Sequence, residues 1–150
     1  MADFNFVTGR LATGAMIAGP ADVIQLAAAG ITAVIDCQAE ADDATLFASN
    51  PAIAYLFNGT SDDGQPKSVD WFRKSLNFAL SALARPNVKV YAHCAQGVNR
   101  GPSTAYAIMR ALVWSEIDAL ARIHVARPAT MNGIRYAKDA DLAVYKLGYT

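Results

Sequence analysis

The run Val88-Lys89-Val90-Tyr91-Ala92-His93-Cys94-Ala95-Gln96-Gly97-Val98-Asn99-Arg100-Gly101-Pro102-Ser103 decides how the chain is read. Val88 to Ala92 is short, apolar and β-branched after the turn Arg85-Pro86-Asn87, which predicts a buried strand. Thr104 to Val113 carries apolar residues at Ala105, Ile108 and Leu112, a helical spacing. Between strand and helix lies a tight loop that a cysteine opens and an arginine closes. A loop curled ahead of a helix N-terminus turns backbone N–H groups inward, and the helix dipole adds partial positive charge. The guanidinium of Arg100 offers a planar fork for two oxygens of one anion. Gly97 permits the close backbone approach that such a cradle needs. Surroundings of this kind favour the thiolate of a cysteine, the form that acts as nucleophile. The loop is built to hold an oxyanion against a nucleophile.

Outward from this loop, strand and helix patterns alternate. Arg10-Leu11-Ala12-Thr13 predicts a first strand and Gly14 to Gly19 a loop. Pro20 to Ala29 predicts a helix, with proline at its first position and Gly30 at its cap. Ile31 to Asp36 is a buried strand that gives way to Cys37-Gln38-Ala39-Glu40. A polar stretch, 42–50, has room for a short helix. Ala52 to Phe57 is another strand, and Asn58 to Pro66 reads as loop by composition. Ser68 to Ala84 is a helix with Phe72, Leu76, Ala79 and Leu83 on one face. Beyond the central loop, Ser115 with Asp118 resembles a capping box, and a last helix runs from about Tyr136 to Leu147 before Gly148. Such alternation predicts an α/β fold: a central, mainly parallel sheet of about four to five strands flanked by helices. The Cys94 loop falls at the carboxyl end of a strand, where these sheets bind ligands.

Composition narrows the classes. The 150 residues predict one domain spanning 1–150, with roughly 70% of the unfolded surface buried. A hydrophobic fraction of 53% against 17% charged residues excludes a disordered chain. The formal net charge of zero lacks the basic footprint of a nucleic-acid binder. Leu26 to Ile35 is too short to cross a bilayer, so no membrane partner is expected. No basic, apolar leader opens the chain, and two cysteines without one suit a reducing cytoplasm. No zinc-ligand spacing or Walker loop is present.

His93-Cys94-x-x-Gly97-x-x-Arg100 resembles the signature loop of the protein tyrosine phosphatase superfamily, and the short chain around it is most similar to the dual-specificity branch. The opening strand–helix–strand with Gly30-Ile31-Thr32 shares the likeness. The resemblance implies a cysteine phosphatase fold and hydrolysis of phosphate monoesters through a phosphocysteine. The substrates implied are phosphotyrosine, and phosphoserine or phosphothreonine, on proteins, or a small phosphate ester, with a monomer favoured. Neither metal nor organic cofactor is implied. Cys94 becomes the nucleophile, Ala95, Gln96, Gly97, Val98, Asn99 and Arg100 the phosphate cradle, and His93 a tuning neighbour. The acid that protonates the leaving oxygen is expected about thirty residues before the cysteine, ahead of a helix with an aromatic pair. Asp62 and Asp63 stand there before Trp71-Phe72, and Asp62 is preferred to Asp63. Arg127-Pro128 and Asn132 match a stretch that supports the loop.

One position departs from the pattern. The hydroxyl residue usual after the arginine is Gly101 here, which leaves Ser103 to substitute for it or the second chemical step to run slowly. The loop also lacks the lysines that accompany phosphoinositide specificity in related loops. Cys37 is read as a small buried hydrophobe or, by resemblance to family members with a cysteine at the matching place, as a redox partner that forms a reversible disulfide with Cys94. Asp70 is assigned to the helix dipole and His124 to the core boundary. Two other classes stay open: a pseudophosphatase that binds phosphoprotein without turnover, and a rhodanese-like or redox cysteine enzyme, since Arg-Gly-Pro also follows the loop there.

Overall fold

A computed structural model describes residues 1–149. Its sheet has five strands, β1 (Phe4–Thr8), β2 (Leu11–Gly14), β3 (Ile31–Gln38), β4 (Ala54–Thr60) and β5 (Lys89–His93). Their spatial order is β1-β2-β5-β3-β4. β5 pairs in parallel with both β2 and β3, β3 pairs in parallel with β4, and only β1 runs antiparallel. The central strand is covered on both faces, which is why Val90-Tyr91-Ala92 is apolar without alternation.

Among the described residues the six α-helices are α1 (Pro20–Ala28), α2 (Ala44–Phe47), α3 (Val69–Leu83), α4 (Arg100–Ala111), α5 (Glu116–Ala126) and α6 (Ala137–Lys146). On one face of the sheet, Val90, Ala92 and Cys94 pack with Phe72 and Leu76 of α3, Ile108 of α4, Ile123 of α5 and Val144 of α6. On the other face, Tyr91 packs with Val23 and Leu26 of α1 and Phe47 of α2. Successive strand residues alternate between these faces, so Cys94 and His93 point to opposite sides of the sheet.

The expected α/β architecture is present, and three differences from the sequence reading bear on the site. β1 was unforeseen. It adds an edge strand whose flank, Asp3 and Asn5, binds a guanidinium of the site. β4 starts later than expected and runs through Asn58-Gly59-Thr60 instead of ending before them. Buried Asn58 is satisfied there: its amide donates to the Trp71 carbonyl and the Ser75 hydroxyl, and Trp71 Nε1 returns a bond to the Asn58 carbonyl at 2.9 Å. Finally, α4 begins at Arg100 instead of Thr104, with Asn99 at its N-cap and Ser103 N donating to Asn99 O at 2.7 Å. The loop therefore ends one turn earlier, and Arg100 rides on the helix's first turn. Ser68 and Ser115 cap α3 and α5 through their hydroxyls, the second as its spacing to Asp118 predicted. The carboxyl ends of β3, β4 and β5 lie together at one edge, and the chemistry-bearing residues gather there.

Candidate active site

Cys94 follows β5 directly, and its N–H donates to the Gly14 carbonyl at 3.2 Å. The peptides that follow are oriented by Arg127, a buried arginine beyond α5. Its Nε donates to Gly97 O at 2.8 Å and its Nη2 to Gln96 O at 3.0 Å. In a trans peptide the carbonyl and the next N–H point opposite ways, so the N–H groups of Gly97 and Val98 face away from Arg127, into the cradle. Asp3 and Asn5 hold the far side of the same guanidinium, and that hydrogen bond lowers the Asp3 carboxyl below its ordinary range.

Gly97 has φ +69, and a Cβ there would lie 2.5 Å from the Gly14 backbone and 2.6 Å from Arg127 Nη2. Gly97→Ala is therefore expected to lower stability by about 1–2 kcal/mol from the backbone conformation alone, and to distort the cradle in addition. A melting curve beside an oxyanion-binding titration checks both effects.

Arg100 is 4% exposed and meets Glu40 end-on, Nη1 to Oε1 at 2.5 Å and Nη2 to Oε2 at 2.8 Å. Nη1 also donates to Thr60 O at 3.0 Å. Of the five N–H donors, Nε–H and the second N–H of Nη2 are left, and they form the side-on edge that grips two oxygens of one anion. Nε is buried and has no partner among the described residues. Glu40 thus turns the fork without filling its binding edge. The hydrogen bond from Arg100 holds the Glu40 carboxyl at about 2 against an ordinary 4.5, and reciprocally pushes the Arg100 pKa up.

Glu40 went unread in the sequence, though a signal existed. It lies two residues past β3, whose carboxyl end adjoins that of β5. Its pKa is lowered on folding, so the pair forms fully above about 4.5 and is lost as pH falls toward 2. Glu40→Gln should lower kcat/KM by about 10-fold through a loosened Arg100. That ratio to wild type should be constant at every pH above 4.5, where Glu40 is already ionised. A pair of pH–rate profiles checks this.

Asp62 and Cys94 both line a cleft of about 510 Å³ that Glu40, Arg100, Asn132 and Arg135 also line. Asn99 fixes it. The Asn99 amide nitrogen donates to Asp62 Oδ1 at 2.7 Å, while Asn99 Oδ1 accepts from the backbone N–H of Arg135 at 2.8 Å and from the Ser103 hydroxyl at 3.1 Å. The carrying loop is tied to the start of α6: Gly64 N–H donates to the Tyr136 hydroxyl at 3.1 Å, and Lys67 N–H donates to Asp139 Oδ2 at 3.0 Å. Asp63 is turned away. It is exposed, accepts from Gln65 N and pairs with Lys67 at 3.1 Å, and these bonds lower its pKa.

No protein-family model matches the sequence, and no curated protein does. Solved structures do match. The active form of Tk-PTP superposes with a TM-score of 0.75 at 19% identity, over 97% of this chain and 95% of that one. PTPMT1 in complex with PI(5)P gives 0.74 at 16% identity, over 98% and 100%. DUSP15 gives 0.75 at 18% identity, over 99% and 88%. The chain has the dual-specificity phosphatase fold.

Within this phosphatase fold, the other residues singled out in the sequence fall as follows. His93 is fully buried, with Nδ1 3.3 Å from the Cys94 carbonyl oxygen and Nε2 3.1 Å from Asp43 Oδ2. Asp36, Asp43 and His93 bring ligand-type atoms within 4.8 Å of one another. Asp36 is engaged by Gln38 N and the Tyr55 hydroxyl, while His93 Nε2 and Asp43 Oδ2 are buried without a hydrogen-bond partner among the described residues. Burial pushes the Asp36 carboxyl up.

Ser103, read as a substitute for the missing hydroxyl at Gly101, donates its Oγ–H to Asn99 Oδ1 at 3.1 Å. A Cβ at Gly101 would lie 3.0 Å from the Ala92 carbonyl oxygen and the His93 backbone, so α4 packs closely on β5 there. Cys37 is fully buried on the Cys94 side of the sheet, its thiol 3.4 Å from the Thr104 hydroxyl, and burial pushes its pKa far up. His124 is half-buried against the Thr130 hydroxyl, and Asp70 pairs with Arg73 on the surface of α3.

Proposed function

We propose that this chain is a cysteine-dependent phosphatase acting on phosphate monoesters through a phosphocysteine intermediate. The observation that carries the reading is the convergence of Cys94, the free side-on edge of Arg100 and Asp62 on one cleft. Substrate phosphate sits in the 94–100 cradle, its oxygens on the inward N–H groups and on Arg100 Nε and Nη2. The Cys94 thiolate attacks phosphorus in line, forming the S–P bond as the P–O bond to the leaving group breaks. Asp62 gives its proton to the departing oxygen. Water then attacks phosphorus, Asp62 takes its proton, and inorganic phosphate leaves as the thiolate is restored. No step calls on a metal or an organic cofactor. Phosphotyrosine, phosphoserine and phosphothreonine all present the monoester that this cradle suits. A cytoplasmic setting and a single domain spanning 1–150 accord with this reading. Hydrolysis of p-nitrophenyl phosphate in the presence of a chelator tests it, and a correctly folded protein without turnover refutes it. One observation favours the binding-module alternative, the absence of a hydroxyl at Gly101, and the same assay excludes that alternative if turnover is seen.

Cys37 adds a redox branch to the proposal. Peroxide would oxidise the Cys94 thiolate to a sulfenic acid, and the Cys37 thiol, deprotonating as it attacks, would displace water to give a disulfide. Cys37 and Cys94 each come one residue after the register pair Asp36–His93 on neighbouring strands, which supports this. Peroxide followed by a thiol reductant should restore activity in wild type but much less in Cys37→Ser. Equal recovery in both proteins removes the disulfide from the account.

A further inference from the structure

Every cation at the cleft has a carboxylate partner except one. Arg100 is held by Glu40, Arg127 beneath the loop by Asp3, and Lys67 on the acid loop by Asp63. Arg135 lines the cleft, and its guanidinium has no hydrogen-bond or ion-pair partner among the described residues. Its backbone is fixed nonetheless, because its N–H donates to the same Asn99 side chain that holds Asp62. Its Nη1 lies 3.9 Å from where a Cβ of Gly64 would sit, two residues past Asp62. Arg135 therefore stands on the side of the cleft where the leaving group departs.

The wall chemistry points the same way. The lining residues include no aromatic side chain, and the apolar ones are small: Ala95, Val98 and Ala129. A flat ring would find little to stack on, whereas a second anion would find an arginine with all five donors unengaged.

We propose that the leaving group of the preferred substrate carries a second anionic group, a phosphate or carboxylate, which Arg135 binds. The substrate class is a small polyanionic phosphate ester. This rests on the phosphatase reading of the same site and narrows it. Phosphate in the cradle is held by Arg100, the ester oxygen faces Asp62, and the remote anion reaches Arg135. The remote charge is present in the ground state as well as in the transition state, so its first effect is on KM.

The test compares linear alkanediol bisphosphates, with spacers from two to six carbons, against the matching alkyl monophosphates. The readout is phosphate release, expressed as the ratio of kcat/KM for bisphosphate over monophosphate. One spacer length should give a ratio of about 10 or more, beyond the factor of about two that two equivalent ends supply. In Arg135→Gln the ratio should fall to that statistical factor, Arg135→Lys should keep part of the preference, and added salt should weaken it. Because both substrates share the catalytic centre, a general loss of activity cancels from the ratio. A ratio near the statistical factor at every spacer, or a preference that Arg135→Gln leaves intact, overturns the inference while p-nitrophenyl phosphate turnover continues. Failure to turn over p-nitrophenyl phosphate as well refutes the underlying phosphatase reading, and this substrate assignment with it.

Discussion

Cys94→Ser is expected to remove phosphatase turnover, by roughly 10⁴-fold or more, while the protein stays folded and still binds oxyanions. The side chain is 3% exposed at the floor of the cradle, and a hydroxyl replaces a thiol there with little change of volume. In the proposed reading the anion is gripped by the inward N–H groups and Arg100, none of which depends on the thiol. Chemistry should therefore vanish while affinity for an unreactive oxyanion such as vanadate or sulfate survives. Steady-state kinetics beside an equilibrium titration reads both halves. Weak binding in the variant would mean that the cradle had been disturbed, and melting curves would show it.

Asp62→Asn is the second large effect, a loss of about 10²–10⁴ in kcat for esters with poor leaving groups. The amide keeps the size of the side chain, and its oxygen can still accept from the Asn99 amide, so the loop should hold its place. It cannot supply the proton. The loss should shrink as the leaving group improves, from alkyl phosphates to p-nitrophenyl phosphate, since a good leaving group needs less protonation. Asp63→Asn should be nearly silent by comparison, because Asp63 is spent on Gln65 N and Lys67 outside the cleft. A series of esters spanning leaving-group pKa, run on both variants, checks the assignment.

What the sequence disclosed follows from how local each signal is. The strand–loop–helix around Cys94 was legible because its parts are contiguous: an apolar strand, a glycine at a position that needs positive φ, and an arginine that closes the loop, although the helix takes in that arginine instead of starting at Thr104. Asp62 was legible only through the family resemblance, and its choice over Asp63 rests on a contact with Asn99 that no spacing reveals. Glu40 and Arg135 escaped notice because their parts in the cleft are set by packing. One depends on β3 and β5 lying side by side, the other on a backbone bond from the start of the last helix to the N-cap of α4. β1 was missed for a similar reason. Phe4-Asn5-Phe6 alternates over too few residues to stand out, and its flank matters only because Arg127 crosses the molecule to meet Asp3 and Asn5. The polar end of β4 read as loop because Asn58 is ordinarily a turn residue, and it is strand here because Trp71 and Ser75 satisfy it.

The central claim is the covalent step, and the most direct measurement is an acid-quenched, rapid-mixing reaction with p-nitrophenyl phosphate followed by peptide mass spectrometry. The account predicts a transient phosphoryl adduct on Cys94, formed as p-nitrophenol is released and absent from Cys94→Ser. A Gly101-limited second step would make the adduct accumulate ahead of phosphate release. Turnover with no adduct on Cys94 at any time point, or equal turnover by Cys94→Ser, would contradict the account.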